Sequence, residues 1–179
     1  MIYVSDTSPL IFFSKINKLD VMRQIFYQIN IPNEVANEIQ GKKDTAAAEI
    51  LKANWIVTRE VKNVSLVNAL TKEYGHDKGE VEAVILSREL GANLLVVDDS
   101  AGRDLARSYQ IKITGTLGVL AVARQKGLVS KIRPLVRDLL LHHNYRISAS
   151  VLLSVLRQCD EWDSTRDSES AVKNSIIHR

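Results

Sequence analysis

The chain has a single cysteine, Cys159, which excludes an internal disulfide framework and a cysteine-rich zinc cage. It has no apolar run near the roughly 20 residues that would span a bilayer. Its hydrophobic share of 45% is that of an ordinary soluble globular protein. The opening residues, MIYVSDTSPL, lack the basic stretch, apolar stretch and small-residue cleavage site of a secretion signal, so a cytoplasmic location is expected. There is no internal repeat and no low-complexity block. A P-loop is missing too: the turn at Gly115, Thr116, Leu117 and Gly118 has neither its lysine nor a dinucleotide spacing, and reads as the start of a helix.

What is present is enough chain for one domain. Its 179 residues can bury a sizeable core, and residues 1–159 are expected to form it. From Asp160 onward the composition turns polar and loses helical periodicity apart from a short stretch at 171–177, so 160–179 reads as a loose tail. The formal charge of +3 is compatible with nucleic-acid binding without requiring it. The distribution says more: Arg103, Arg107, Lys112, Arg124, Lys126, Lys131, Arg133 and Arg137 crowd the later part of the chain, as an RNA track or a plain solvated face would.

Short apolar runs alternate with helical patterns. Strands are expected at residues 2–5, 29–31, 55–58, 94–97 and 111–114. Helices are expected after Pro9, through Leu19 to Phe26, from Pro32 and Asn33, over 45–53, in two pieces between Leu66 and Arg88, and in several further pieces to Gln158. The helix pair before Arg88 breaks at Gly75, His76, Asp77, Lys78 and Gly79. Alternation of this kind implies an α/β fold, a central parallel sheet of four or five short strands wrapped by helices as an α/β/α sandwich.

Four acids stand out. Asp6 follows an apolar run and precedes Thr7, Ser8 and Pro9, where Thr7 or Ser8 is expected to cap the next helix. Glu38 shares a helix face with Val35 and Ile39, which turns it inward, where a carboxylate needs a cation or a donor; Glu34 is its competitor. Glu80 follows Gly79 at the head of an apolar helix, where a negative charge also suits the helix dipole. Asp98 closes the run at 94–97 with Asp99 beside it, and one of the two is expected to cap the helix that follows. Ligands of parallel α/β sheets bind outside the carboxyl ends of the strands, which places Asp6 and Asp98 at one edge. Carboxylates gathered there would repel one another, and a hard divalent cation with oxygen ligands relieves the repulsion. Arg103, four residues past Asp99, either contacts a substrate phosphate or serves an ordinary surface or acid-pairing role. His142 and His143 lie far along the chain and, being adjacent on a helix, point apart.

The segments VSDTSPLI, IPNEVANEI, DKGEVEAVILSRELGANLLVVDDSAGRDLA and ITGTLGVLAVARQKGLV, in this order, resemble the PIN-domain family. They are most similar to its VapC-like, DUF3368-type branch of small prokaryotic members. The resemblance implies Asp6 as the first metal-binding acid, Glu38 as the second in its P-x-x-V-x-x-E setting, Glu80 as the third and Asp98 as the fourth, with Asp99 as neighbour or substitute. Many relatives carry Asp in the place of Glu80, and Glu82 is an alternative there. Ser8 resembles the hydroxyl residue kept near the first acid, in reach of substrate. The resemblance further implies a Mg²⁺- or Mn²⁺-dependent endoribonuclease, the toxin half of a toxin–antitoxin pair, forming a homodimer silenced by a small antitoxin protein. The alternative is a PIN-fold protein that binds RNA or a protein without cutting. A response-regulator-like domain would need a phospho-acceptor Asp and a later Lys after successive strands, a pairing this chain does not offer convincingly.

Overall fold

The computed structural model describes residues 1–75, 77–165 and 167–177, and its five short strands all pair in parallel in the order β3-β2-β1-β4-β5. They are β1 (Tyr3–Ser5), β2 (Ile29–Pro32), β3 (Ile56–Arg59), β4 (Leu94–Val96) and β5 (Ile113–Thr114). In the central pair, consecutive residues point to opposite faces, yet Val4, Ser5, Leu95 and Val96 are all closed off from solvent. A parallel sheet flanked by helices demands this, because both of its faces are covered. The α/β reading with four or five parallel strands is therefore correct.

The chain lays down β1, β2 and β3 in one direction, then returns to place β4 on the far side of β1. That reversal puts the topological switch point between β1 and β4, where connections diverge and open a crevice beyond the strands' carboxyl ends. Ser5 pairs with Val96, and the Asp6 N–H donates to the Val96 carbonyl at 3.0 Å. Asp6 and Asp98 thus leave adjacent strands at the same edge.

Helix α6 (Lys78–Glu89) lies against β1, β2 and β4. Its buried Val81, Val84 and Ile85 join Val4, Leu95 and Val97 in one core, each such side chain contributing about 1.5–3 kcal/mol on burial. The helix stops where Gly91 takes a left-handed φ of +58°. Helix α3 (Asn33–Gly41) packs on α6 and buries Val35 and Ile39, which sets the direction of Glu38. Around them α1 (Thr7–Lys15), α2 (Leu19–Phe26), α4 (Thr45–Lys52), α5 (Val64–Tyr74) and α7 (Ser100–Ser108) complete the sheet's covering. Among the described residues no helix is long and apolar enough to cross a membrane.

The chain divides into two compact units, Met1–Thr116, which holds the whole sheet, and Leu117–Arg179, which is helical. The second unit contains most of α8 (Thr116–Gln125), then α9 (Arg133–His142), α10 (Ala149–Gln158) and the short α11 (Val172–Ile177). Cys159 is buried at the end of α10. Beyond Asp160, where the composition reads as a loose tail, the described chain is tied to α9. Glu161 accepts from the backbone N–H groups of Ile132 at 2.7 Å and Arg133 at 3.1 Å, and the Arg133 guanidinium pairs with buried Asp167. Val172 and Ile176 are buried as α11 packs on α9. Periodicity carries no sign of such a long-range ion pair.

Candidate metal centre

Asp6 stands one residue past β1 and is only 4% exposed. It occupies the position that caps α1, ahead of Thr7 and Ser8, yet its carboxylate makes no capping hydrogen bond. Burial, first of all, and then the charges of Glu38, Asp98 and Asp77 push its pKa up to about 7, against the backbone N–H of Thr7. The Thr7 hydroxyl is turned elsewhere: it donates to Glu38 Oε2 at 2.5 Å, joining the first turn of α1 to α3.

Glu38 is half-buried, and its carboxyl is raised by burial first, then by the charge and hydrogen bond of Asp77 and the charge of Glu34, with the Thr7 hydroxyl opposing. The first turn of α6 passes close against Glu38, and Gly79 is what lets it pass: a Cβ there would run into Glu38 Oε1. Asp77 caps α6, accepting from the Gly79 N–H at 2.9 Å. Glu80, one residue on, is pushed up to about 8 by burial first and then by the charges of Asp99, Asp6 and Asp77.

Asp98 is gripped by Thr116, whose N–H donates to Oδ1 at 2.8 Å and whose hydroxyl donates to Oδ2 at 2.5 Å. Burial raises its carboxyl, while Thr116 and the charge of Arg103 act against that. Arg103 donates to the Val97 carbonyl at 3.0 Å, so its guanidinium is engaged beside the strand end. Gly115 makes the close approach possible: a Cβ there would stand 2.6 Å from Asp98 Oδ1 and 3.2 Å from Arg103. Of the neighbouring pair, Asp99 is the helix cap, accepting from the N–H groups of Ala101 at 2.7 Å and Gly102 at 3.4 Å, and it also faces Glu80.

Asp6 is therefore within electrostatic reach of Glu38, Glu80 and Asp98 at the carboxyl edge of the sheet, and Glu80 of Asp99. Glu34 and Glu82 do not lead this group: both pair with Lys78, at 2.8 and 3.6 Å, and Glu82 accepts from the Glu34 N–H. Asp77 is the member that sequence reasoning missed. Its Asp-x-Gly signature at a helix start is visible but reads as a cap, which it also is. Ser8 is partly buried beside Thr7. Of the basic residues, Arg107 pairs with Asp104, and in the second unit Arg124 and Arg133 are turned to Glu161 and Asp167. His76 lies outside the described residues.

Among the described residues no three His, Cys, Asp or Glu side chains are already drawn together as a metal cage, and the acids hold hydrogen bonds from Thr7 and Thr116. The chemistry of the donor set fits a hard divalent ion all the same. Every donor is a carboxylate oxygen, and the leading charges acting on Asp6, Glu38 and Glu80 are other carboxylates. The Glu38 and Asp98 oxygens that accept from Thr7 and Thr116 each have a second lone pair to offer.

The chain matches the family model DUF3368, described as a PIN domain, over residues 2–161. No curated protein matches it.

Proposed function

The chain belongs to the PIN-domain family, whose fold is generally that of nucleases, and from that premise we propose that it is an endoribonuclease dependent on Mg²⁺ or Mn²⁺. Asp6, Glu38, Glu80 and Asp98 would hold the ion, with Asp99 at its border. The observation that supports this most is Asp6: a carboxylate almost closed off from water whose leading neighbours are three more carboxylates. Such a group keeps hold of a proton up to about pH 7, and a divalent cation would relieve the same burial and repulsion.

A divalent ion held by these acids would supply Lewis acidity toward the scissile phosphate. The chain's own residues orient the acids: Thr7 holds Glu38, and Thr116 holds Asp98 through two bonds. Asp99 keeps α7 in place beside Glu80. Ser8, two residues past Asp6, and Arg103, four past Asp99, are the side chains that would donate to a phosphate oxygen in this reading. In the reaction a bond forms between a water oxygen and phosphorus, the bond from phosphorus to O3′ breaks, and O3′ takes up a proton. The products carry a 5′-phosphate and a 3′-hydroxyl.

The biological setting in this reading is the cytoplasmic toxin half of a toxin–antitoxin pair, active as a homodimer and silenced by a small protein. A short adjacent gene for a DNA-binding protein, and growth arrest on expression that its product relieves, would support that setting. A second reading, a PIN-fold protein that binds RNA or a partner without cutting, draws on one feature: Thr116 engages both oxygens of Asp98.

Incubation of labelled RNA with manganese separates the two. The nuclease reading expects cleavage by the native chain and a loss of about 10²-fold or more in Asp6→Asn. A native chain that binds RNA without metal-dependent cleavage supports the second reading instead.

A further inference from the structure

At the opposite end of the sheet from the acids, where α6 and α7 finish and β4 and β5 begin, the surface folds into a recess of about 360 Å³. Its rim carries two cations, Arg88 and Lys112, and no acid lines it. Neither cation forms an ion pair among the described residues, although other arginines of the chain do. The Arg88 guanidinium lies over the Tyr109 ring, 4.9 Å from its centre, and Arg88 is exposed while Tyr109 is half-buried. Lys112 is anchored by its backbone, since its carbonyl accepts from the Leu95 N–H at 2.9 Å. Asn93 spends its Oδ1 on the Ile2 N–H at 2.6 Å, which turns the amide's NH₂ away from that contact as a donor.

Two helix C-termini converge here, and their free carbonyls would repel an anion. They are largely neutralised by capping. The carbonyls of Leu86, Ser87 and Arg88 accept from the N–H groups of Leu90, Ala92 and Gly91, and those of Ala106 and Arg107 accept from Ile111 and Gln110. What the recess presents is therefore donors and positive charge beside an arginine lying over an aromatic ring.

We propose that this recess binds a nucleoside monophosphate group, with Arg88 and Lys112 holding the phosphate and the base stacking on the outer face of the Arg88–Tyr109 pair. The volume is near the lower end of small-molecule pockets, roughly 300–1,000 Å³, and suits a single nucleotide. The group has two chemically equivalent sources, a free nucleotide or the phosphorylated end of an RNA. The proposal stands independently of the metal centre, because the recess lies at the amino ends of the strands and shares none of the centre's acids.

The test is titration of the full chain, in EDTA so that no metal-bridged binding occurs at the acids, with AMP, adenosine, inorganic phosphate, and a short RNA with or without a 5′-phosphate. Backbone amide resonances of residues 87–93 and 109–112 report where binding occurs. AMP shifting these resonances with saturation, at least about 10-fold weaker in both Arg88→Gln and Lys112→Gln, supports the site. Adenosine and phosphate should each bind much more weakly than AMP. If only the 5′-phosphorylated RNA binds, with the same dependence on both residues, an RNA end is the source. No saturable shift with AMP or with 5′-phosphorylated RNA, binding equal in both variants and the native chain, or phosphate alone binding as well as AMP would each overturn the proposal. Cleavage of RNA in manganese by the two variants should match the native chain, so a failed nuclease assay and a failed nucleotide titration are separate results.

Discussion

Gly79 and Glu38 are in steric register: the backbone of the first turn of α6 passes so close to Glu38 Oε1 that any side chain at position 79 would displace the carboxylate. Two helices distant in sequence thereby share one constraint.

The constraint makes Gly79→Ala informative. Alanine gains up to about 1 kcal/mol over glycine within a helix, so the fold should hold. A misplacement of about 1 Å at a reacting centre costs about 10²-fold in rate, and RNA cleavage is expected to fall on that scale while the thermal midpoint stays within a few degrees. Full activity in this variant would mean that Glu38 is not part of the working group.

Thr116 offers a second handle. Thr116→Val keeps the backbone N–H bond to Asp98 but removes the hydroxyl donor, leaving Oδ2 in a partly buried setting without its partner. A loss of about 1–3 kcal/mol in urea unfolding is expected for the metal-free chain, with recovery in Thr116→Ser. Equal stability of the valine and serine variants would count against this role.

The raised carboxyls set the pH dependence of the metal-free protein. Asp6 and Glu80 rise from ordinary values of 3.8 and 4.5 to about 7 and about 8, with burial as the leading cause in both. Across that window the folded state binds more protons than the unfolded state, so stability falls as pH rises from about 4 to about 8. In EDTA the unfolding midpoint should be higher at about pH 5 than at about pH 8. Manganese should restore more of it at the higher pH, where protons no longer compete for the same oxygens. A midpoint that rises with pH in EDTA would reverse the assignment.

In the second unit, Arg133→Met removes the guanidinium that pairs with buried Asp167. Breaking a buried pair on one side costs about 3–5 kcal/mol, measurable as a shift in urea midpoint. Replacement without cost would show that the Arg133–Asp167 pair contributes nothing to stability.

Much of this was legible in the sequence, for local reasons. The runs that became β1 and β4 each end in an acid, and the parallel-sheet rule brings those ends together before any contact is known. Glu38 could be told from Glu34 because Val35 and Ile39 fix which face of α3 is buried. The division of labour between Asp98 and Asp99 was not legible: both follow the strand, and only the path of the chain to Thr116 decides that Asp98 turns toward it while Asp99 caps α7. Asp77 was hidden because a cap and a member of an acid cluster look alike until α3 and α6 are packed together. The hold of Glu161 and Asp167 on α9 was hidden because ion pairs across some 30 residues leave no periodic trace.

Manganese binding by the full-length chain, followed by the loss of the free ion's paramagnetic resonance signal, bears most directly on the centre. Saturable binding is expected, weakened at least about 10-fold in Asp6→Asn, since even residues that only support a metal's ligands cost that much. Binding of unchanged affinity in Asp6→Asn, Glu38→Gln, Glu80→Gln and Asp98→Asn would contradict a metal centre at this edge of the sheet.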